Sequence, residues 1–225
     1  MKAQVLLPKI FNFSFTYNSN NISLKTGDLV EVPFGKSKEI GVVWKHKNTD
    51  LKNIKIKNIS RKIKNYSIDK KLIDFVEWFS TYNMVPLGLA LKMTIGNKDN
   101  FTKKIDPNFS ESKKQTKKYI LNSEQKKAFE YLDSVNNKFD VSVLQGTTGS
   151  GKTLVYFERI KKIISNNKQA LVLLPEIFLT NEFKSRFEDF FGYEPAIWHS
   201  KVTPKNKRII WKGLIKNKIK LVVGA

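Results

Sequence analysis

The sequence predicts an α/β protein in which a small β-rich part precedes a parallel α/β part that carries a phosphate-binding loop. Residues 11–17 alternate aromatic and polar side chains, which is the two-residue period of a half-buried strand. Residues 119–225 alternate short apolar runs with stretches of helical spacing, as a parallel sheet with crossover helices does. Residues 98–118 are polar and rich in lysine, which predicts a basic linker. The expected domains are therefore 1–97 and 119–225.

The first domain has three more apolar runs bounded by turn residues, which predict further strands of a small twisted sheet or barrel at residues 4–7, 29–32 and 41–44. A helix is expected to close this domain, because one helical face would carry Leu72, Phe75, Val76 and Phe79. The aromatic residues of the alternating strand are more often core residues than ligand contacts. A base-stacking role for Phe13 or Phe15 stays open as the alternative.

The second domain begins with an expected helix at 123–135, followed by a strand at 141–144 and a helix that starts at Lys152. Further strands are expected at residues 170–174, 196–198 and 221–223, and a further helix carries the stripe Leu179, Phe183, Phe187 and Phe190. Thr203 and Pro204 are typical of an N-cap and a first helical residue. Ligands of such a parallel sheet bind at the carboxyl ends of its strands.

The most specific motif is G-x-x-x-x-G-K-[ST], formed by Gly146, Thr147, Thr148, Gly149, Ser150, Gly151, Lys152 and Thr153. It lies between an expected strand and an expected helix, where backbone N–H groups and the helix dipole favour phosphate. We expect Lys152 to reach the β- and γ-phosphates of ATP, and Thr153 to contact Mg²⁺ through its hydroxyl. These two residues are the catalytic candidates.

Hydrolysis also needs an acidic residue for Mg²⁺ and a group that orients water, and neither is evident in the sequence. Glu176, which follows an expected strand, is a weak candidate. Glu188 and Asp189 form an adjacent acidic pair within a Phe-rich helical stretch, so we interpret them as a solvated helix face.

The composition favours a polyanionic partner, because 41 Lys+Arg against 20 Asp+Glu give a formal net charge of +21. Lysine clusters occur at 45–64, 103–118 and 201–220, although a biased composition with solvated lysines is the open alternative. The chain has no cysteine, which excludes internal disulfides and thiolate zinc sites and fits a reducing compartment. No apolar run has the length of a membrane span, so we expect a cytoplasmic protein without a membrane partner.

Several segments together resemble the bacterial primosomal replication-restart helicases of the PriA type, in helicase superfamily 2. Residues 121–128 with Gln125 resemble the family's adenine-reading glutamine motif, and residues 144–153 resemble its phosphate loop. Residues 171–180 are similar to motif Ia, and His199-Ser200 to the His-Ser that follows it. The last segment, 221–225, is similar to the opening of motif Ib. The resemblance implies that the second domain is a truncated first RecA-like lobe.

The first domain resembles the module by which this family captures the 3′ end of a nascent DNA strand. The similar segments are 32–36, 41–43, Tyr82 and 86–88. The resemblance assigns the DNA contacts to Phe15, Thr16, Gly35, Lys36 and Lys57. Thr16 stands where the family has an acidic residue, which affects how stringently a 3′-hydroxyl is recognised.

The resemblance implies an ATP-dependent 3′ to 5′ DNA helicase that acts at stalled replication forks in replication restart. Its partners would be forked DNA with a 3′ end, single-stranded DNA, primosome proteins and single-stranded-DNA-binding protein. The family's winged helix, DEEH-like motif, second RecA-like lobe and zinc module are not found in these 225 residues. We therefore expect an N-terminal fragment that hydrolyses ATP poorly alone. Open alternatives are a non-catalytic nucleic-acid-binding protein with a remnant P-loop domain, and a P-loop small-molecule kinase, which would not explain the charge.

Overall fold

The computed structural model describes residues 2–45, 56–103, 116–135, 139–175 and 180–225. The chain divides into two compact units, Met1–Lys104 and Ile105–Ala225. The first unit is antiparallel and β-rich, and the second contains a parallel sheet with helices. The predicted α/β fold class is therefore confirmed.

The first unit contains a five-stranded sheet with the order β2-β1-β4-β3-β5, in which the neighbouring strands run antiparallel. The strands are β1 (Lys2–Leu6), β2 (Phe15–Asn18), β3 (Asp28–Phe34), β4 (Ser37–Lys45) and β5 (Arg61–Ser67). The sheet is buried on both faces. One face packs on two helices through Leu6, Leu29, Val42 and Trp44. The other face buries Val5, Val30, Val32 and Val43 with Tyr17, beneath Phe15 and Phe34.

The helix expected around Leu72 to Phe79 is α1 (Lys70–Tyr82), which begins where Asp69 accepts a hydrogen bond from the backbone N–H of Leu72. Val76 is buried and Phe79 packs against the core, as predicted. The expectation was wrong for Phe75, whose side chain is 50% exposed. The buried stripe runs instead through Ile73, one turn from Val76, so Phe75 lies beside it on the solvent side.

A second helix, α2 (Leu87–Ile95), was not predicted from the sequence, because Pro86-Leu87-Gly88 is typical of a chain reversal. Pro86 is in fact the N-cap, and the helix starts with the residue after it. A Cβ atom on Gly88 would lie 2.2 Å from the carbonyl oxygen of Lys9 and 2.4 Å from that of Leu7. Glycine at this position therefore permits close packing between α2 and the segment after β1.

The expected strand at 11–17 is shorter in the structure, because β2 begins only at Phe15. The preceding residues are bound by the start of α2. The Asn12 Oδ1 atom accepts a hydrogen bond of 2.9 Å from the Leu87 N–H, and the Phe11 carbonyl oxygen accepts one of 2.9 Å from the Gly88 N–H. The second bond takes a backbone carbonyl oxygen that a longer strand would use, and the first holds the Asn12 side chain at the helix, so the aromatic alternation continues here without a strand.

The expected linker at 98–118 begins with a short helix, α3 (Asp99–Thr102). Phe101 packs edge-on against Tyr66, with ring centroids 5.2 Å apart, and contributes to the core beneath α1 and α2. The first residues of this segment thus belong to the first unit's packing.

The second unit contains a three-stranded parallel sheet with the order β6-β8-β7 among the described residues. Its elements are α4 (Ser123–Ser134), α5 (Lys152–Ser165), β6 (Ala170–Leu173), α6 (Asn181–Phe191), β7 (Ala196–Trp198), α7 (Pro204–Ile215) and β8 (Leu221–Gly224). Phe157 of α5 and Phe187 of α6 are buried against Leu221 and Val223 of β8. Thr203 caps α7 and Pro204 is its first residue, as expected.

Residues 141–144 form no strand, contrary to the sequence prediction. Val141 is 76% and Val143 89% exposed, so these apolar side chains reach no core among the described residues. This run does not pair with any strand of the described sheet, β6-β8-β7. Apolar composition alone does not make a strand when pairing is absent.

Among the residues that the structure describes, no helix combines the length and the apolar character needed to cross a lipid bilayer.

Candidate functional site

The loop between residues 146 and 151 leads directly into α5, so the G-x-x-x-x-G-K-[ST] motif lies at a helix N-terminus. Gly149 has a φ of +85° and Gly151 a φ of +82°, both in the left-handed region that favours glycine. Gly151 is the N-cap of the 14-residue helix α5. The loop backbone thus continues directly into the N-terminus of a helix. The N–H groups there have no partners within the helix and attract anions.

The side chain of Lys152 folds back over this loop. Its Nζ atom donates hydrogen bonds to the carbonyl oxygens of Gly146 at 2.6 Å and Thr147 at 2.8 Å. The Ser150 N–H donates to the Thr147 oxygen at 3.2 Å, which closes the turn. Thr148 lies within the loop and Thr153 in the first turn of α5. The eight residues of the motif therefore form a loop and the first two residues of α5.

Gln125, predicted from the sequence as an adenine contact, lies in the first turn of α4 next to the phosphate loop. Its Nε2 atom donates to the Ser150 carbonyl oxygen at 3.0 Å. Its Oε1 atom accepts from the Asn122 N–H at 3.0 Å, and Asn122 Oδ1 accepts in return from the Gln125 N–H at 2.9 Å. This capping box fixes the amide against the loop. A Cβ atom on Gly151 would lie 2.3 Å from Gln125 Nε2, so the contact needs glycine there.

The chemistry of this site fits a polyphosphate. A left-handed glycine turn aligns backbone N–H donors at a helix N-terminus, and the Lys152 ammonium lies over the same turn. The first turn of α5 carries no acidic residue that would repel an anion. The open space around Gly149, which has nothing within 4 Å of a would-be Cβ atom, leaves the loop accessible to a ligand.

Asp189, one of the acidic residues considered from the sequence, takes part in an ion pair. Asp189 Oδ2 pairs with Lys117 Nζ at 2.7 Å, and the Asp189 carbonyl oxygen accepts from the Lys117 N–H at 2.8 Å. The hydrogen bond to Asp189, and then its charge, raise the pKa of Lys117. Asp189 thus holds the segment that precedes α4 against α6. Glu176 lies outside the described residues, among which no group of three or more His, Asp and Glu side chains could hold a metal ion.

In the first unit, Phe15 belongs to a cluster of four aromatic rings. Its ring centroid lies 5.0 Å from that of Phe11, 5.1 Å from that of Phe13 and 5.4 Å from that of Phe34. The Lys9 ammonium lies 5.6 Å from the Phe34 ring centroid and 3.2 Å from a Glu39 carboxylate oxygen. Phe11 and Phe34 were not predicted as site residues, although the period-two pattern in the sequence includes Phe11.

Thr16 lies on the face of β2 opposite to Phe15 and Tyr17, because successive strand residues point to opposite faces. Its Oγ1 atom accepts a hydrogen bond of 2.9 Å from Gln4 Nε2, and Gln4 Oε1 accepts one of 3.3 Å from the Ser14 hydroxyl. Since Thr16 accepts from Gln4, its own hydroxyl hydrogen is directed elsewhere. The Gln4 contact could not be predicted from the sequence, because it depends on the pairing of β1 with β2.

Gly35 and Lys36 form the turn between β3 and β4, and both are exposed. Gly35 has a φ of +60° and nothing within 4 Å of a would-be Cβ atom. The ring of the preceding Phe34 joins the aromatic cluster. Lys57 is exposed, and its carbonyl oxygen accepts from the Asn18 N–H at 3.0 Å, at the end of β2. Gly35 and Lys36 therefore lie next to Phe34, whose ring contacts that of Phe15, whereas Lys57 lies at the other end of β2. Thr16 points to the face opposite to Phe15.

The basic cluster at 201–220 includes α7 and the residues on either side of it in the second unit. The Lys207 ammonium lies 5.8 Å from the Trp198 ring centroid at the carboxyl end of β7. Lys212 is buried, and burial, together with the charges of Lys216 and Arg208, lowers its pKa. Lysines in this cluster thus differ in role, since some are exposed and one is part of the packing.

Comparison with known proteins matches two family profiles. Residues 4–96 match the family described as 3′DNA-binding domain (3′BD), and residues 118–225 match the family described as Type III restriction enzyme, res subunit. The chain is also similar to the replication restart protein PriA of Rickettsia conorii, with 37% identity over 233 residues, 99% of this chain and 34% of the relative. The PriA of Rickettsia prowazekii is 35% identical, again over 99% of this chain and 34% of the relative.

Similarity extends beyond these close matches. The PriA of Bacillus subtilis is 40% identical over 124 residues, 53% of this chain and 15% of the relative. The chain spans about a third (34%) of the length of the first of these relatives.

Proposed function

The chain belongs to the family of the replication restart proteins PriA, and from this premise we propose that the whole protein is an ATP-dependent 3′ to 5′ DNA helicase. It would act at stalled replication forks, where the first unit binds the DNA end and the second binds the nucleotide. The single observation that carries this proposal is that one chain combines a left-handed glycine loop at a helix N-terminus with a unit matching a 3′DNA-binding domain.

In this proposal the ligand of the loop is ATP with Mg²⁺. The backbone N–H groups of the loop bind the phosphates, and Lys152 leaves the carbonyl oxygens of Gly146 and Thr147 to reach the β- and γ-phosphates. Thr153 holds Mg²⁺ through its hydroxyl, and Gln125 binds adenine with its side-chain amide. Mg²⁺ neutralises charge that develops on the phosphates during transfer.

The position of Gln125 supports a link between nucleotide binding and conformation. Its amide already bonds the Ser150 carbonyl oxygen and the Asn122 N–H, so contact with adenine requires these bonds to exchange. ATP would thereby change the contact between α4 and the loop, and hydrolysis would reverse it. We expect the 225-residue chain alone to hydrolyse ATP slowly, because its sequence contains no DEEH-like motif.

For the DNA end we propose contacts with Phe15, Thr16, Gly35, Lys36 and Lys57. The exposed turn at Gly35 lets a sugar or phosphate approach the backbone closely. Lys36 and Lys57 supply positive charge for phosphate oxygens. Thr16 points to the face opposite to Phe15, but β2 is an edge strand, so we propose that the DNA end passes this edge and meets the Thr16 hydroxyl as a donor, since its oxygen accepts from Gln4.

Partners and location are part of the same proposal. We propose that the whole protein binds single-stranded-DNA-binding protein and primosome proteins, and that it works in the cytoplasm. The net charge of +21 supports a polyanionic partner such as DNA.

Nucleotide binding is tested by titrating the 225-residue chain with a fluorescent ATP analogue in the presence of Mg²⁺. The expected result for Lys152→Ala is a loss of affinity of more than tenfold, because a charge-assisted contact with phosphate disappears. Lys168→Ala is the matched control, since it removes an equal charge from an exposed position beyond α5. Equal affinities of the Lys152→Ala variant and the unsubstituted chain would reject the nucleotide site and favour a remnant P-loop domain.

DNA-end binding is tested with forks that differ only in whether they carry a free 3′ end at the junction. We expect tighter binding to the fork with the free end, and Gly35→Val should remove the preference by blocking the approach to the turn. Equal affinity of the unsubstituted chain for both forks would reject this part of the proposal.

A further inference from the structure

The segment that precedes α4 is attached to α6 at two points. Lys117 donates its backbone N–H to the Asp189 carbonyl oxygen at 2.8 Å, and its Nζ atom lies 2.7 Å from Asp189 Oδ2. Two residues later, the Tyr119 ring stacks on that of Phe190, with centroids 5.7 Å apart and planes inclined by 23°. We call residues 117–119 the anchor segment.

The ring that receives Tyr119 is itself fixed. Phe190 is buried, and its centroid lies 5.3 Å from that of Phe157 in α5. The Lys161 ammonium, also of α5, lies 5.3 Å from the Phe190 centroid. Since α5 begins at the phosphate loop, the anchor segment is held against the same core that positions the loop.

Helix α4, which follows the anchor segment, has no buried residue along its described length. Its C-terminal end is attached to α5 by the Asp133 carboxylate, which pairs with Arg159 and Lys162. Its N-terminal end follows the anchor segment after three residues, of which Ile120 is 93% exposed. Three residues span at most about 11 Å, so the attachment of Tyr119 limits where this end of α4 can lie.

The Gln125 amide moves with the N-terminal end of α4. Reciprocal hydrogen bonds with Asn122 tie it to the helix terminus, and its Nε2 atom reaches the Ser150 carbonyl oxygen of the phosphate loop at 3.0 Å. A side-chain amide recognises adenine through two hydrogen bonds, to N6 and N7, which require a defined position and orientation. A displacement of α4 therefore affects base recognition without changing the residues that bind phosphate.

We infer that Tyr119 and Asp189 are positioning residues, which hold Gln125 where it prefers adenine to guanine. The inference rests on the proposed ATP site and adds residues that act on base preference through Gln125. Guanine has an oxygen acceptor where adenine has the N6 donor, so the amide cannot form the same pair of bonds with it. Phosphate binding depends on the loop backbone and Lys152, and it should not depend on the anchor segment.

The test measures the affinities of the 225-residue chain for ATP, GTP and tripolyphosphate, by competition with a fluorescent ATP analogue in the presence of Mg²⁺. One pair of hydrogen bonds to a base corresponds to about a 5- to 150-fold preference for the right base. The unsubstituted chain should prefer ATP to GTP by a factor in this range. In Tyr119→Ala the ATP-to-GTP affinity ratio should fall several-fold, whereas the affinity for tripolyphosphate should stay unchanged.

Two further variants separate the ring from the ion pair. Tyr119→Phe keeps the ring that stacks on Phe190 and should keep the ratio of the unsubstituted chain. Asp189→Asn removes the charge that pairs with Lys117 but leaves the backbone hydrogen bond, so it should lower the ratio less than Tyr119→Ala does. If Tyr119→Ala does not fold, Asp189→Asn carries the same test, and an unchanged ratio there overturns the inference.

The chain offers a matched control for each substitution. Tyr131→Ala removes a tyrosine of 62% exposure from α4 itself. Glu182→Gln removes the carboxylate of an exposed ion pair with Arg186 on α6, the helix that carries Asp189. Both controls should keep the ATP-to-GTP ratio of the unsubstituted chain. Circular dichroism establishes that each variant is folded.

A double variant tests whether Tyr119 acts through Gln125. In Gln125→Ala the base preference should already be lost, so the addition of Tyr119→Ala should not change the ratio further. A merely structural role would lower the affinities for ATP, GTP and tripolyphosphate alike and leave the ATP-to-GTP ratio unchanged, which would overturn the inference. A further fall of the ratio in the double variant would overturn it too.

Failure of this inference differs from failure of the proposed function. If the unsubstituted chain binds neither ATP nor tripolyphosphate, the proposed nucleotide site is refuted and the inference with it. If it binds ATP and GTP equally, or if Tyr119→Ala keeps the unsubstituted ratio, the positioning role is refuted while nucleotide binding stands.

Discussion

Replacement of Gly151 by alanine tests how the phosphate loop is joined to α4. Gly151 has a φ of +82° and its would-be Cβ atom lies 2.3 Å from Gln125 Nε2. Gly149, two residues earlier, has a φ of +85° but nothing within 4 Å of its would-be Cβ atom. The two glycines therefore share a backbone conformation and differ in their surroundings, which makes Gly149→Ala the matched control.

The magnitudes follow from these two differences. A left-handed backbone costs about 1–2 kcal/mol for a residue with a Cβ atom, so Gly149→Ala should lower the free energy of unfolding by that amount. In Gly151→Ala the Gln125 amide must also leave the Ser150 carbonyl oxygen, a hydrogen bond that contributes about 0.5–1.5 kcal/mol. The expected destabilisation for Gly151→Ala is the sum, about 1.5–3.5 kcal/mol.

The assay is urea-induced unfolding of the chain, followed by circular dichroism, for Gly149→Ala, Gly151→Ala, Gln125→Ala and the double variant Gln125→Ala/Gly151→Ala. In the background of Gln125→Ala, the alanine at 151 has no amide to displace, so it should cost only the backbone term. The coupling energy of the cycle should therefore be about 0.5–1.5 kcal/mol.

Two results would refute this reasoning. Equal destabilisation by the two glycine substitutions would mean that the Gln125 contact contributes nothing. Additive effects of Gln125→Ala and Gly151→Ala would mean that these residues act independently, contrary to the observed contact.

Three further expectations concern stability. Asp133→Asn should lower the free energy of unfolding by about 1 kcal/mol in urea titrations, because a partly buried ion pair with Arg159 joins α4 to α5; no change would show that the pair is neutral. Gly88→Ala should cost about 1–3 kcal/mol, since its Cβ atom would lie 2.2 Å from the Lys9 carbonyl oxygen, and a thermal midpoint equal to that of the unsubstituted chain would contradict this. Burial raises the pKa of the Tyr17 hydroxyl above its usual 10.0, so the folded state holds this proton more tightly than the unfolded state does. The resulting contribution to the free energy of unfolding is complete below pH 10 and is lost as the pH rises through the folded pKa. In the Tyr17→Phe variant the free energy of unfolding should therefore fall less steeply above pH 10. The same pH dependence in this variant and the unsubstituted chain would contradict the prediction.

The phosphate loop could be predicted from the sequence because its geometry is local. Gly149 and Gly151 adopt left-handed conformations, and the helix starts at Lys152 within the same short segment. The parallel direction of β6, β7 and β8 was also predictable, since alternating helices and strands require crossovers, whereas their order in the sheet was not predicted. Gln125 was assigned by resemblance, but its bond to Ser150 depends on a tertiary contact between α4 and the loop.

The errors have a common physical origin, which is pairing between segments distant in the sequence. Residues 141–144 have the composition of a strand, but exposure of Val143 shows that composition does not supply a neighbour. β5 (Arg61–Ser67) is the reverse case, because its composition is mostly polar and yet it forms a strand by pairing with β3. At α2, a proline and glycine typical of a turn begin a helix, since the bound segment around Asn12 satisfies its N-terminus.

The folded-back side chain of Lys152 also has a kinetic consequence. While its ammonium bonds the carbonyl oxygens of Gly146 and Thr147, it is not available to an incoming triphosphate. If the loop binds ATP as we propose, this side chain must leave both oxygens before the final bound state forms, so the observed rate of association should level off at high ATP concentration. The plateau would equal the opening rate of the lysine, and the fraction of molecules already open would scale the apparent dissociation constant.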